Sequence, residues 1–339
     1  MGIQNPMLTA DIEFRNSSIV TKNLTQLIIR QENDLARYDS GQMKLDIQKL
    51  KTEKEESMIL RMNELKNLAD EKLKRSIELA SEKGAGAWLS ALPLQAMGYT
   101  LNKQEFRDSV YLRYGWRIPN TPSFCACSKK NSMDHILNCH LGGFVDMRHD
   151  KLRDYEAKLL REICKDVRTE PALQPIGAET MSRNTSNLAR LDVSAVGLWS
   201  PQERTFLDVR VINPLSASYM DIPSEQLYIN NERDKKNQYN DRVIQVEKGS
   251  FTPLIFSTNG GMGPESTKYH KRVAEKIADK RGELYSDVIN HIRTGLRFSL
   301  LRSVLVAVRG ERGRKRKEFV PPISDISLNL IPEQRTYEV

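Results

Sequence analysis

The feature that most constrains this 339-residue chain is a set of four metal-ligand side chains inside one short segment. The pattern is C-x-C, then seven residues, then H-x-x-x-C, and its members are Cys125, Cys127, His135 and Cys139. Zinc takes four thiolate or imidazole ligands, which a turn with two cysteines and a helix with ligands four residues apart can supply. The first spacing is shorter than usual, and the adjacent His140 is a rival ligand. We predict a structural zinc knuckle over residues 124–148.

Composition favours metal binding over disulfide bonds for these cysteines. With 39% hydrophobic and 28% charged residues, the chain can form a packed core but is too polar for a membrane protein. Met1–Ala10 lacks the pattern of a signal peptide, so we expect a reducing location in the cytosol or nucleus. The net charge of +8 favours polyanionic partners, although a merely basic soluble protein fits it equally well.

Further segments flank the knuckle. Residues 24–83 are rich in Lys, Glu, Leu and Met and contain no proline, so we assign 1–83 as a helical arm or linker. Short helices broken at Pro93 and Gly98 are expected over 84–123. Residues 311–339 are expected to form a basic and then disordered tail.

The region between 149 and 310 reads as an α/β domain. An amphipathic helix is predicted over 150–167, and three short apolar strands over 189–199, 205–212 and 251–257. Helices are predicted over 224–246, 266–281 and 284–309. This order indicates helices packed over a central sheet.

Two aspartates interrupt the first two apolar strands. Asp192 and Asp208 are separated by fifteen residues, enough for a strand end, a turn and a return strand. A carboxylate in a buried strand is costly unless it is paired or bound to metal, and phosphodiester hydrolysis uses such carboxylates to hold divalent cations. The alternative is a structural ion pair between Asp208 and Arg210, which share a face of the strand.

The basic partner of these acids is less evident. Arg210 occupies the position at which a D-x-K motif has lysine, and an arginine stabilises charge better than it transfers protons. The helix downstream offers Lys235 and Lys236, whose alternative reading is a charge run on a solvated face.

The helix over 150–167 offers candidates for a third ligand. His149 and Glu156 project onto its apolar face, and Glu162 lies near the edge of that face. The alternative is a satisfied core histidine and a glutamate with a buried stem. Cys164, within the same pattern, is expected to be a core thiol.

Taken in order, these motifs resemble the C-terminal region of non-LTR retrotransposon proteins that carry a restriction-like endonuclease. The resemblance spans residues 76–310 and rests on an ordered series: the knuckle, Arg148-His149-Asp150, Arg190-Leu191-Asp192, Phe206-Leu207-Asp208, and Lys235 with Tyr239. It implies a domain of the PD-(D/E)XK fold that follows a C-C-H-C knuckle and nicks DNA with Mg²⁺ or Mn²⁺.

The resemblance also implies roles for individual residues. Asp192 and Asp208 become metal ligands, and Lys235, in the K-x-x-x-Y match with Tyr239, replaces the lysine missing after Asp208. Two departures are Leu191, where the motif usually has proline, and the C-x-C start of the knuckle. No reverse transcriptase precedes the region, so we expect a fragment, a truncated copy or a co-opted gene.

We therefore expect a nuclear, metal-dependent DNA endonuclease with a structural Zn²⁺, and with DNA and the element's RNA as partners. One rival is a catalytically inert nucleic-acid-binding protein that retains the fold. Another is an assembly protein that forms homo-oligomers through its N-terminal helices. Nucleic-acid contacts are expected from the basic residues of the tail, Arg312, Arg314, Lys315, Arg316 and Lys317.

Overall fold

The computed structural model describes residues 6–31, 40–175, 189–310 and 312, and the chain divides into two units, Met1–Glu71 and Lys72–Val339. The first unit contains helices α1 (Pro6–Ile29) and α2 (Ser40–Leu68), which contact each other. Lys54 of α2 forms an ion pair with Glu13 of α1, and large apolar side chains such as Phe14 and Leu68 are exposed. Helix α1 begins at Pro6, so the region 1–83 assigned to a helical arm is helical well before Leu24.

The second unit is built on a four-stranded mixed sheet. Its strands are β1 (Lys165–Thr169), β2 (Val193–Val196), β3 (Arg204–Ile212) and β4 (Ser250–Ser257), in the spatial order β1-β2-β3-β4. The first three strands pair antiparallel, and β4 runs parallel to β3. Together with the surrounding helices, this sheet confirms the expected α/β class.

Helices surround the sheet and extend from it. In chain order they are α3 (Glu71–Ser81), α4 (Ala87–Ser90), α5 (Lys103–Arg113), α6 (Met133–Asn138), α7 (Phe144–Ile163), α8 (Ser224–Arg242), α9 (Pro264–Arg281) and α10 (Tyr285–Arg309). The last three agree with the predicted helices, except that α8 ends in a single π turn over Val243–Glu247.

The hydrophobic core lies on one face of the sheet, against α7, α9 and α10. Leu207 and Leu254 from the sheet pack there with Leu152, Val273 and Leu296 from the helices, and all five are buried. A smaller cluster on the other face joins α8 to β3 and β4. Because side chains alternate along a strand, residues 206, 208, 210 and 212 of β3 face α8.

The helix predicted over 150–167 is wrong at both ends. Helix α7 begins at Phe144 and ends at Ile163, and the following residues form strand β1, which the sequence did not predict. Strand β1 is an edge strand of mostly exposed polar residues, and Val167 alone is partly buried against the core. Charged edge strands resist pairing with strands of other molecules, but they lack the alternating apolar residues from which a strand is predicted.

Across the described ranges, none of the helices combines the length and the apolar character that crossing a bilayer requires.

Candidate functional site

The four predicted zinc ligands converge in the structure. Their ligand atoms all lie within 4.8 Å of one another. Cys125 Sγ is 3.9 Å from Cys139 Sγ, Cys139 Sγ is 4.0 Å from Cys127 Sγ, and Cys127 Sγ is 3.2 Å from His135 Nε2. Zn–S bonds of about 2.3 Å and Zn–N bonds of about 2.0–2.1 Å imply tetrahedral edges of about 3.8 Å between sulfurs and about 3.6 Å between sulfur and nitrogen. The cluster therefore has the dimensions and the donors of a site for a metal such as zinc.

Local structure explains how these ligands meet. Cys125 and Cys127 lie in a tight turn closed by hydrogen bonds between Cys125 and Lys129 and between Ser128 and Cys125. Helix α6 then carries His135, and its first turn is capped by the Ser132 hydroxyl, which accepts from the His135 N–H. Serine at this position satisfies a helix N–H that would otherwise lack a partner.

The electrostatics of the cluster favour the metal-binding form at His135 and Cys127 and oppose it at Cys125. Burial, with the nearby positive charges of Arg312 and Lys129, holds the pKa of His135 below its usual value, so its imidazole is neutral at pH 7. A backbone hydrogen bond from Lys129 lowers the pKa of the Cys127 thiol, whereas burial raises the pKa of Cys125. Bound zinc stabilises the thiolate at every cysteine ligand.

The remaining cysteine and the rival histidine stand apart from the cluster. His140 is exposed, and the histidine that belongs to the cluster is His135. Cys164 follows α7, is partly buried against the core, and has its pKa raised by burial. The prediction of a core thiol agrees with this position.

The two aspartates of the strands also meet. Val193 of β2 pairs with Leu207 of β3, and Asp192 lies immediately before β2 while Asp208 follows Leu207, so the two aspartates come close where this pairing ends. The Asp192 N–H donates to the Leu207 carbonyl over 3.0 Å, so Asp192 is attached to β3 just before β2 begins. Asp208 faces α8, whereas the Asp192 carboxylate reaches His149 on α7. The charge of Asp192 still raises the pKa of Asp208, so the two carboxylates are near each other.

Asp192 is held by groups from two elements. Its Oδ2 accepts the Val209 N–H over 2.5 Å and lies 3.1 Å from His149 Nε2 on α7. The bond to Asp192 raises the pKa of His149, against the opposing effect of burial, and Asp150 adds to the rise. Protonated His149 can therefore balance the charge of Asp192. The Val209 N–H is a part of this site that no sequence signal indicated.

Asp208 pairs with the lysine that the resemblance indicated. Lys235 Nζ on α8 lies 2.7 Å from Asp208 Oδ2, and the Asp208 side chain is only 8% exposed. Burial raises the pKa of Asp208, Lys235 lowers it, and the charge of Asp192 raises it again. The ion pair of Asp208 is therefore with Lys235 and not with Arg210, which was the alternative, and Arg210 is half-buried on the same face.

Two neighbours on α8 take different positions. Tyr239 lies one turn after Lys235, whose Nζ sits 5.6 Å from the centre of the phenol ring. Burial, then the charges of Asp208 and Asp192, raise the pKa of Tyr239. Lys236 points elsewhere and pairs with Glu265 at the start of α9.

We call Asp192 and Asp208, with their partners His149 and Lys235, the acidic site. The two glutamates of α7 lie outside it. Glu156 is fully buried, and its Oε1 is 3.0 Å from His270 Nε2 on α9. Glu162 pairs with Arg281 at the end of α9. Of the candidates for a third group, only His149 adjoins the aspartates. Sequence periodicity placed all three near one helix face and could not separate them.

The basic tail is described at Arg312 alone. Its guanidinium donates to the carbonyls of Ala307 and Ile136 over 2.9 and 2.8 Å, and it stacks over the Phe144 ring. These contacts tie the end of α10 to the knuckle, so Arg312 is less free to meet a phosphate than predicted. The remaining predicted contacts, Arg314, Lys315, Arg316 and Lys317, lie outside the described residues.

A scan of known protein families gives no match to this chain. A search of curated proteins likewise finds no significantly similar sequence.

Proposed function

We propose that this protein is a divalent-metal-dependent DNA endonuclease of the PD-(D/E)XK type, derived from a non-LTR retrotransposon. The observation that carries the proposal is the proximity of Asp192 and Asp208 where β2 and β3 begin to pair, with Lys235 and His149 beside them. A mixed α/β domain that follows a Cys₃His cluster also agrees with the fold that the resemblance implies.

The donor set of the acidic site suits Mg²⁺ or Mn²⁺. Like charges held close together are destabilising, and a bound cation reverses that effect. Magnesium prefers oxygen ligands and is commonly held by one or two carboxylates together with water and substrate phosphates. Asp192 and Asp208 would hold such an ion, which when bound polarises phosphoryl oxygens and lowers the pKa of its water.

The protein's own groups would position this chemistry. Lys235 would offset negative charge that builds on the phosphate in the transition state, because its ammonium is already fixed beside Asp208. His149 and the Val209 N–H would orient the Asp192 carboxylate. The Cys₃His cluster would hold zinc as a structural ion and position the knuckle against nucleic acid. DNA and the element's RNA are the proposed partners, and the nucleus is the proposed location.

Nicking of supercoiled plasmid with and without Mg²⁺ or Mn²⁺ tests the proposal. Asp192→Asn and Asp208→Asn should each abolish nicking and leave DNA affinity nearly intact, because phosphate contacts away from the acids supply most of the affinity. Glu162→Gln is the matched control, since its carboxylate pairs with Arg281 outside the acidic site. If both aspartate variants nick as well as the parent, the nuclease proposal is wrong.

One observation favours a second candidate, an inert nucleic-acid-binding protein that retains the fold. Each aspartate already has a basic partner, Lys235 for Asp208 and His149 for Asp192, so the acidic site can be electrically balanced without a metal. Such a protein would bind DNA without requiring Mg²⁺, and would nick none of it.

A further inference from the structure

A cavity of about 120 Å³ lies where the end of α5, helix α6, the ends of β3 and β4, and α10 come together. We call it the junction cavity. Among the residues that line it, Lys72, Arg113 and Arg297 are basic, Asn213 and Asn259 carry side-chain amides, Trp116 is aromatic and Asp134 is acidic. An engineered cavity of about 150 Å³ holds a benzene molecule, so this one is large enough for a phosphate group but not for a whole nucleotide.

Arg297 brings a buried positive charge to the junction cavity. The residue is 7% exposed, and its guanidinium donates to the carbonyls of Ala85 and Thr258 over 3.1 and 3.5 Å. Within the described part of the chain, no carboxylate forms an ion pair with it. Burial, then the like charge of Arg113, lowers its pKa to about 9. A buried cation compensated only by carbonyl dipoles is costly, and an anion in the cavity would offset that cost.

Trp116 presents an exposed aromatic ring at the same cavity. Helix α5 ends in a Schellman motif, in which the Trp116 N–H donates to the Tyr111 carbonyl and the Gly115 N–H to that of Leu112. Gly115 has φ +65°, and a Cβ there would lie 2.8 Å from Ser76 Oγ. The Trp116 ring packs edge-on against Tyr111 and stacks on Tyr114, yet the residue stays 51% exposed. The indole is therefore fixed in orientation while one surface remains open.

We propose that the junction cavity binds one unpaired nucleotide of a nucleic-acid strand. Its base stacks on the exposed surface of Trp116, and its phosphate enters the cavity toward Arg297, with Lys72 at the rim. Fixed aromatic rings beside basic groups are the features with which proteins bind single strands. The inference rests on the proposed nucleic-acid function and deepens it, because it names a strand state that the acidic site does not determine.

The acidic member of the lining is already engaged. Asp134 Oδ1 accepts from the side-chain amides of Asn138 and Asn213 over 2.8 and 3.2 Å. These bonds direct Oδ1 of Asp134 toward the two amide groups. The second bond also holds the Asn213 side chain, just after β3.

Fluorescence anisotropy with labelled oligonucleotides, without added divalent cations, tests the proposal. The probes are single-stranded DNA, single-stranded RNA and duplex DNA of equal length. Trp116→Ala should weaken binding of a single strand about tenfold or more, the scale of losing one stacked base, whereas duplex binding should change little. Trp116→Phe should restore most of the affinity. Tyr285→Ala is the matched control, since Tyr285 is an exposed aromatic at the far end of α10.

The phosphate contact has its own readout. Arg297→Met should lower the slope of log affinity against log salt for a single strand by about 0.7, the value for one phosphate neutralised. Lys72→Ala removes an exposed cation at the rim and should also lower the slope, even if the Arg297 variant folds poorly. Whichever of DNA and RNA binds tighter identifies the strand, and either result supports the site.

Two results would overturn the inference. If Trp116→Ala lowers only the melting temperature, Trp116 is a helix cap and nothing more. If all the variants weaken duplex and single-strand binding equally, the surface is a general polyanion contact. The acidic-site variants separate this test from that of the nuclease, because Asp208→Asn should keep the single-strand affinity whether or not the parent nicks DNA.

Discussion

Removal of one thiolate from the Cys₃His cluster gives the sharpest test of the metal site. We expect purified parent protein to hold about one zinc per chain, the usual content of a closed four-ligand site. Cys127→Ser should lose that zinc to a colorimetric chelator. Cys164→Ser should keep it, because Cys164 lies outside the cluster. His135→Ala and His140→Ala form a second matched pair, in which only the first should release the metal.

The structure also indicates the size of the effect on stability. Ile136 and Leu137 of α6 are 2% and 5% exposed and pack with Phe144 and Val304. Each such side chain contributes about 1.5–3 kcal/mol by its burial, so loosening α6 should cost about 3–6 kcal/mol. For a domain of this size the melting temperature should fall by on the order of 10 °C. The binding free energy of the metal itself is larger, about 10–16 kcal/mol in isolated zinc fingers, but the loss of stability is limited here by the apolar area that α6 buries.

Elemental mass spectrometry and a thermal melt on the same preparations measure both quantities. The reasoning is refuted if Cys127→Ser retains one zinc per chain, or if Cys164→Ser loses it. A variant that loses zinc without losing thermal stability would show that α6 is held by the core alone.

The acidic site gives further expectations. Lys235→Ala should slow nicking by about 10²-fold or more, the scale of removing one preorganised charge, whereas Lys236→Ala should leave nicking near that of the parent; the reverse order would exchange their roles. Because the folded pKa of His149 is raised above 6.5, its bond to Asp192 stabilises the protein fully below pH 6.5 and loses that effect as the pH rises through the folded value. His149→Gln should therefore cost more stability at pH 6 than at pH 9 in urea melts, and an equal cost at both would contradict this. Burial is the main cause that raises the pKa of Glu232 from 4.5 to about 7. As the pH rises, this carboxyl ionises in the unfolded chain before it does so in the folded protein, so the parent loses stability between those two pH values. Glu232→Gln keeps an acceptor for the Glu265 N–H and should gain on the parent from pH 5 to pH 8.

The sequence predicted structure best for residue types that have few roles in proteins. Cys125, Cys127 and Cys139 could be assigned from spacing alone, and the apolar runs marked β3 and β4 to within one residue. The meeting of Asp192 and Asp208 followed from strand length and a turn. These features depend on local pattern, which a single sequence records.

Other features depend on partners far along the chain. Glu156 faces His270, 114 residues away, and no local pattern could separate this buried pair from a ligand of the acidic site. Lys235 and Lys236 are adjacent, and only the position of α8 over β3 decides which one reaches Asp208. Arg297 and Trp116 likewise gain a common environment only when α5 and α10 pack around one cavity.

Helix α10 has a consequence for how this protein could be divided. Its residues enter the core of the sheet, the cluster beneath the knuckle and the cluster around Trp88, and Arg309 pairs with Asp108 of α5. Helix α7 begins within the predicted knuckle and ends beside β1. A domain boundary between residues 148 and 149 would divide α7 in its second turn. It would also separate the knuckle from most of the helix that follows it. Because α7 and α10 serve both parts, we expect that a fragment ending at residue 148 or beginning at residue 149 would lose part of its core.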